Sequence, residues 1–283
     1  MNARRSRSHA APTTAPEASA GGSLPPPFFV LGCVRSGTTM LRDVLRLHPN
    51  LACPEETHFF RWGDPFGTDG LSRTLSNNAV LKKHRELDGI TEEEFRDMLH
   101  QAQSRGDLYQ RYMALYMQRK KPGAQRWFDK TPQNVYGAML AATTIQKSRF
   151  VHIVRNPLNV VASLRIGRIV KVDNLVGAVN YWNEAVAILR GLKRAYPGRL
   201  CEIRYEDFVA DPAPQLRRLC SFLNEPYEDG WFSSYTPRQS DHTDEGVLSP
   251  EEVRRIEELC RSGMRRYGYL EGGSSDDGDD DKA

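Results

Sequence analysis

One short stretch limits what this chain can fold into more than any other. Residues 27–41 read Pro-Phe-Phe-Val-Leu-Gly-Cys-Val-Arg-Ser-Gly-Thr-Thr-Met-Leu. The apolar run Phe28–Leu31 predicts a buried strand. The segment from Thr38 to His48 predicts a helix, with Met40, Leu41, Val44, Leu45 and Leu47 supplying its apolar faces. Gly32 and Gly37 bracket a tight turn between them. A strand, a glycine loop and a helix in that order let backbone N–H groups and a helix N-terminus cradle a phosphate. The frame is Gly-x4-Gly followed by Thr38-Thr39, a P-loop spacing with Thr where the nucleotide-binding Lys should stand. Loops that hydrolyse ATP or GTP use that ammonium on the terminal phosphates. Here the nearest cation is Arg35, inside the loop. The stretch suits an anion other than the usual triphosphate.

Val34-Arg35-Ser36-Gly37-Thr38-Thr39-Met40-Leu41 resembles the 5′-phosphosulfate loop of sulfotransferases that use 3′-phosphoadenosine 5′-phosphosulfate (PAPS). His48-Pro49 and Cys53-Pro54-Glu55-Glu56-Thr57 are most similar to the tyrosylprotein-sulfotransferase type and its bacterial relatives. The resemblance covers roughly residues 27–225. It implies that Arg35, Ser36, Gly37, Thr38 and Thr39 bind the 5′ end of the co-substrate.

Composition bounds the rest. Of the 283 residues, 39% are hydrophobic and 27% charged, ordinary for a soluble globular protein. Residues 1–26 carry almost nothing apolar, and residues 271–283 form an acidic low-complexity run, so both ends are expected to be disordered. Residues 27–270 then form one large α/β domain. A formal charge of +3 is too small to argue for nucleic acid, and no run of 18 apolar residues exists to span a membrane. Residues 1–26 have an arginine-rich start but no apolar h-region, which argues against a secretory signal. Five cysteines, odd in number and without a Cys-x-x-Cys pair, suggest a reducing, cytoplasmic setting and no zinc site. The animal tyrosylprotein sulfotransferases are anchored, lumenal and disulfide-bonded. Cys53 matches one of their paired cysteines, but Trp127 and Phe128 stand where its partner is expected, so the compartment does not carry over.

Downstream, Leu51-Ala52-Cys53 predicts a short strand that delivers Glu55 and Glu56 to the carboxyl edge of the sheet. A carboxylate beside an anion loop can accept the proton of an attacking hydroxyl. The resemblance puts that role on Glu56. On the residues alone, either glutamate could instead cap a helix or pair with Arg61, and His58 could be the base. The aromatics Phe59, Phe60, Trp62 and Phe66 suit a pocket wall as well as a core. Helices are expected from Thr91 to about Ser104 and from about Asp107 to Gln118.

Residues 126–130 predict a strand ending in Asp129-Lys130-Thr131-Pro132, and the resemblance makes Lys130 the catalytic lysine. A cation there meets the charge that builds on the leaving oxygen. After a helix over about 134–145, residues 149–155 predict a buried strand ending in Arg155. Asn156 as N-cap and Pro157 as first helical residue follow. The resemblance assigns Arg155 and Ser163 to the 3′-phosphate, for which a guanidinium fork is well shaped. Arg165, Arg168 and Lys171 either extend that site or form a solvated helix end. A helix over 173–196, a strand over 200–205 and helices over about 213–223 and 250–267 complete the pattern. Tyr205, in Arg-Tyr-Glu-Asp-Phe, is implied to contact the nucleotide, and residues 227–248 form a long loop.

Strands alternating with helices imply a mostly parallel sheet with helices on both faces, the P-loop-like sulfotransferase fold. The expected function is transfer of the sulfuryl group of PAPS, without a metal, to a hydroxyl on a protein tyrosine, a carbohydrate or a small metabolite. A homodimer is an open arrangement. The rival readings are a divergent P-loop kinase and an inactive PAP-binding sensor. A strand ending in Arg155 rather than in a magnesium-directed Asp argues against the kinase.

Overall fold

Five short segments become five parallel strands, and nearly all of their residues are buried, as in strands covered on both faces. The computed structural model describes residues 25–167, 170–236 and 246–270. The tails expected to be disordered therefore lie outside the described residues, apart from Pro25 and Pro26. The strands are β1 (Phe28–Leu31), β2 (Leu51–Ala52), β3 (Arg126–Lys130), β4 (Arg149–Val154) and β5 (Leu200–Arg204). Their order is β2-β3-β1-β4-β5. Val30 of β1 sits opposite Lys130 on one side and Val151 on the other. The carboxyl ends of β1, β3 and β4 therefore open on the same edge. The chain fills one side of β1 with β2 and β3, then crosses to place β4 and β5 on the other. Ligands of open α/β sheets collect at such a reversal.

The helices are α1 (Thr38–Leu45), α2 (Asp69–Asn77), α3 (Ala79–Asp88), α4 (Glu92–Gln101), α5 (Arg105–Lys120), α6 (Ala138–Thr144), α7 (Pro157–Ile166), α8 (Leu175–Ala195), α9 (Tyr205–Ala210), α10 (Pro212–Leu223), α11 (Pro250–Leu259) and α12 (Arg261–Arg266). Strand alternation sorts the core into two layers. Phe29 and Leu31 pack with Tyr109 of α5, Val161 of α7 and Trp182 of α8. Phe28 and Val30 pack with Leu41 and Val44 of α1, Phe208 of α9 and Leu216 of α10. No helix among the described residues is long and apolar enough to cross a membrane.

Each of the five strands falls where the apolar runs place it. Four helical details differ. First, α1 stops at Leu45 rather than at His48, and Lys121 Nζ donates to the carbonyls of Arg46, His48 and Leu51 just beyond it. Second, the helix expected from Asn134 begins as a 3-10 turn over Pro132–Gly137, because Asn134 is drawn inward to Asp129 and Phe60. Third, the helix expected over 250–267 divides at Cys260, which brings Gly263 against Trp182. A Cβ there would lie 2.5 Å from the indole. Fourth, α2, α3 and α9 were not anticipated, although Thr68 and Asn78 cap the first two with their side chains, and Tyr205, expected to end a strand, opens α9.

Candidate active site

The loop after β1 turns on itself through Ser36 N, which donates to Cys33 O at 3.2 Å. Arg35 and Gly37 take left-handed backbone angles, with φ of 72° and 91°. Such turns point successive N–H groups into a concavity. Helix α1 begins here with no side-chain cap and no acidic residue in its first turn, so its dipole faces the loop uncompensated. Gly37 is required twice over: by its φ, and because a Cβ would lie 2.4 Å from Cδ2 of Tyr205. Gly32 is fixed by close approach, since its Cβ would meet Ile153 O at 2.5 Å. Ser36 is fully buried and its Oγ has no hydrogen-bond partner.

The second motif closes directly onto the first. Arg155, at the end of β4, donates from Nη1 to Arg35 O at 3.3 Å and lies 4.5 Å over the Tyr205 ring. Its own carbonyl accepts from Trp182 Nε1 of α8 at 2.9 Å. Ser163, two turns into α7, accepts from Arg35 Nε at 2.9 Å. Arg35, Arg155, Ser163 and Tyr205 thus form one cluster beside the glycine loop. The link from Arg35 to Ser163 was not visible in sequence, where the two lie 128 residues apart. Arg165 pairs with Glu252 at 2.9 Å, and Lys171 pairs with Asp173 at 3.1 Å. Arg168 and much of the loop after residue 236 lie outside the described residues.

The acidic turn separates its two glutamates. Glu55 is held by Arg42 of α1 at 2.8 Å and by Arg46, the residue that caps its end, at 3.1 Å. Burial pushes its carboxyl up, but the two guanidinium groups outweigh this and lower it. Glu56 faces the other way. Its Oε1 accepts from Lys130 Nζ, which also donates to Thr39 Oγ1 at 3.2 Å, and its Oε2 lies 3.4 Å from His58 Nε2. Burial would raise the Glu56 carboxyl, yet the His58 hydrogen bond and the Lys130 ammonium bring it down to about 2. Neither glutamate pairs with Arg61, which stacks on Trp62 instead.

A buried polar network, unanticipated in sequence, joins this turn to β3. Asp129 accepts from Thr57 Oγ1 at 2.8 Å, Thr131 Oγ1 at 3.2 Å and Asn134 Nδ2 at 3.0 Å. Thr131 Oγ1 accepts from Thr57 N at 3.0 Å, while the Tyr109 hydroxyl meets Thr57 Oγ1 at 2.6 Å and Asn134 Nδ2 at 2.8 Å. Burial raises the Asp129 carboxyl against these hydrogen bonds. The network fixes the spacing between residues 56 and 130. The one signal that could have found it was an Asp beside the lysine at the end of β3, followed by Thr131 and Asn134.

An all-parallel sheet with a glycine loop after β1 and an arginine after β4 defines an α/β protein of P-loop-like architecture. The sequence profile described as the sulfotransferase family matches residues 26–229, and the chain belongs to that family. It is similar to protein-tyrosine sulfotransferase A of Caenorhabditis elegans, with 25% identity over 72% of this chain and 51% of that protein. It is also similar to the omega-hydroxy-beta-dihydromenaquinone-9 sulfotransferase of Mycobacterium bovis, with 25% identity over 86% of this chain and 75% of that one. The chain therefore spans about half the length of the nematode relative. Among solved structures, the sulfotransferase domain of the Synechococcus olefin synthase superposes with a TM-score of 0.60 at 23% identity, covering 82% of this chain and 84% of that one. A sulfotransferase from Alicyclobacillus acidocaldarius gives 0.53 at 16% identity, covering 87% and 95%. The fold is that of the sulfotransferases.

Proposed function

We propose that the chain transfers the sulfuryl group of PAPS to an acceptor hydroxyl, with no metal taking part. The observation that carries this reading is the contact of Glu56, Lys130 and Thr39 beside the glycine loop. It sets a carboxylate and an ammonium where α1 begins. The residues fit a ligand with two anionic ends. Ser36 Oγ is buried without a partner and Gly37 admits a close approach at one end. Arg155 and Ser163 converge at the other, with Arg35 between them and Tyr205 beneath.

PAPS would supply an activated sulfuryl group, held by residues 35–39 and by Arg155, Ser163 and Tyr205. Glu56 takes the hydroxyl proton as the acceptor oxygen bonds to sulfur. The bond from sulfur to the phosphate oxygen breaks, and Lys130 meets the charge left on that oxygen. A carboxylate near 2 is a weak base. Its basicity rises when Lys130 turns to the leaving oxygen, because the nearest cation is then shared. His58 lies behind Glu56, buried, which favours Glu56 over His58 as the base. The acceptor classes are a protein tyrosine, a carbohydrate or a small metabolite, and the relatives' names span the first and the last. The five buried free thiols support a reducing, cytoplasmic setting.

Thermal unfolding with PAP, ADP or ATP–Mg²⁺ at equal concentration tests the nucleotide assignment. A ligand at about 100 times its Kd stabilises the fold by about 2.7 kcal/mol. PAP is expected to raise the midpoint far more than the other two. A rise with ATP–Mg²⁺ alone would reopen the kinase reading.

A further inference from the structure

Both oxygens of Glu56 are engaged, and by different partners. Lys130 takes Oε1 and His58 takes Oε2. An ionised carboxylate only accepts hydrogen bonds, so His58 Nε2 carries the hydrogen. The other ring nitrogen, Nδ1, is buried without a hydrogen-bond partner. His58 also holds a left-handed backbone, with φ of 58°. A β-carbon residue in that region and an orphaned buried ring nitrogen are each unfavourable, and side by side they mark a residue kept for what it contacts. The ring is fixed between Trp62, at 5.9 Å, and His84 of α3, stacked at 6.2 Å and 15°. His84 in turn faces the Glu56 backbone: its Nδ1 lies 2.8 Å from Glu56 O, so that nitrogen donates.

We infer that His58 is a positioning residue, holding Oε2 of Glu56 so that Oε1 is the oxygen free to take the acceptor's proton once Lys130 turns away. His84 fixes the same glutamate from its main chain and backs the His58 ring. The inference rests on the reading of Glu56 as the base. The charged and titratable groups facing His58 are Glu56 on its own turn, His84 on α3 and Asp129 on β3, with Lys130 on the far oxygen of Glu56. With the donor lost, Glu56 keeps less support for its ionised form, and the acid limb of its activity moves to higher pH.

The test compares the parent with His58→Phe, His58→Gln and Glu56→Gln, using PAPS with 4-nitrophenol, a tyrosine-bearing acidic peptide and a glucosamine derivative as acceptors. His58→Phe keeps a ring between Trp62 and His84 but no donor, whereas His58→Gln keeps a donor at a similar reach. Expected for His58→Phe are kcat lowered roughly 10-fold or more, as for a displaced catalytic group, an unchanged KM for PAPS, and an acid limb moved upward. His58→Gln should recover most of the rate and the parent's limb. A His58→Phe enzyme with the parent's kcat and acid limb overturns the proposal. So does loss of the PAP thermal shift in both His58 variants, which would make the residue purely structural. Glu56→Gln turning over as fast as the parent, or a parent that transfers to none of the acceptors, sinks the underlying reading and is told apart by that control.

Discussion

Glu55 and Glu56 are adjacent and chemically identical, yet the fold gives them different work. Glu55 answers Arg42 on α1 and Arg46 at its C-terminal cap, and its N–H donates to Asp88 at 2.9 Å. Glu56 answers Lys130 across the site. Removing the charge of Glu56 should cost on the order of 10²–10⁴ in kcat, the worth of a general base, with little effect on PAP affinity. Glu55→Gln should do the reverse, keeping kcat within a few-fold while losing about 1–3 kcal/mol of stability from weakened charged hydrogen bonds. Steady-state kinetics and thermal unfolding of both variants check the pair, and an inactive Glu55→Gln beside an active Glu56→Gln would invert the assignment. The glutamate pair was legible in sequence, but its division was not. What divides the two is the direction in which α1 presents its arginines, a matter of helix orientation that residue order does not encode. The Asp129 network was hidden for a related reason, since its members come from three separate segments and no local pattern links them.

The elements that carry the candidate site were the easiest to read, because glycine spacing, apolar strands and capping residues are local signals. The boxes at Thr91 with Glu94 and at Ser249 with Glu252 form as their spacing predicts. Helices α2 and α3 are short and bury few apolar side chains, Leu71 and Leu75 in one and Leu81 in the other, so no apolar repeat runs long enough to declare them in sequence. The glycine loop itself depends on an element 168 residues away: the ring of Tyr205, at the start of α9, sits where a Gly37 side chain would be. Gly37→Ala must both hold a left-handed φ and displace that ring, and with it the surface under Arg155. The expected result is a loss of about 1–3 kcal/mol in stability together with a PAP thermal shift reduced well below the parent's. Gly123→Ala, at a site with open space around it, serves as the control and should change neither. A Gly37→Ala protein that binds PAP like the parent would show that the loop tolerates a side chain and that the packing against Tyr205 is incidental.

Among the described residues of the whole molecule, carboxylates lowered by the fold outnumber those raised, and this sets the response to pH. Seven carboxylates are lowered by the fold: Glu55, Glu56, Glu92, Glu94, Asp107, Glu202 and Glu252. Asp88 and Asp129 are raised by burial and act in the opposite sense. A group whose folded value lies below its unfolded one stabilises the protein fully above the unfolded value, and that contribution is lost as pH falls through the folded value. For Glu56 the window runs from its ordinary 4.5 down to about 2. Glu94 and Glu252 sit in solvent and weigh little, since exposed pairs are screened. Glu56 and Glu202 are the more enclosed of the lowered group and weigh most. The unfolding midpoint should therefore hold between neutral pH and about 5, then fall steeply below about 4.5 as the depressed carboxylates take protons. Asp88 and Asp129 soften the fall without reversing it, being two against seven. Glu56→Gln should flatten part of the acid slope, because one of the groups that must be protonated is gone. Melting curves across this range check both statements, and a midpoint that rises on acidification would mean that burial of Asp129, rather than pairing of the glutamates, governs the balance.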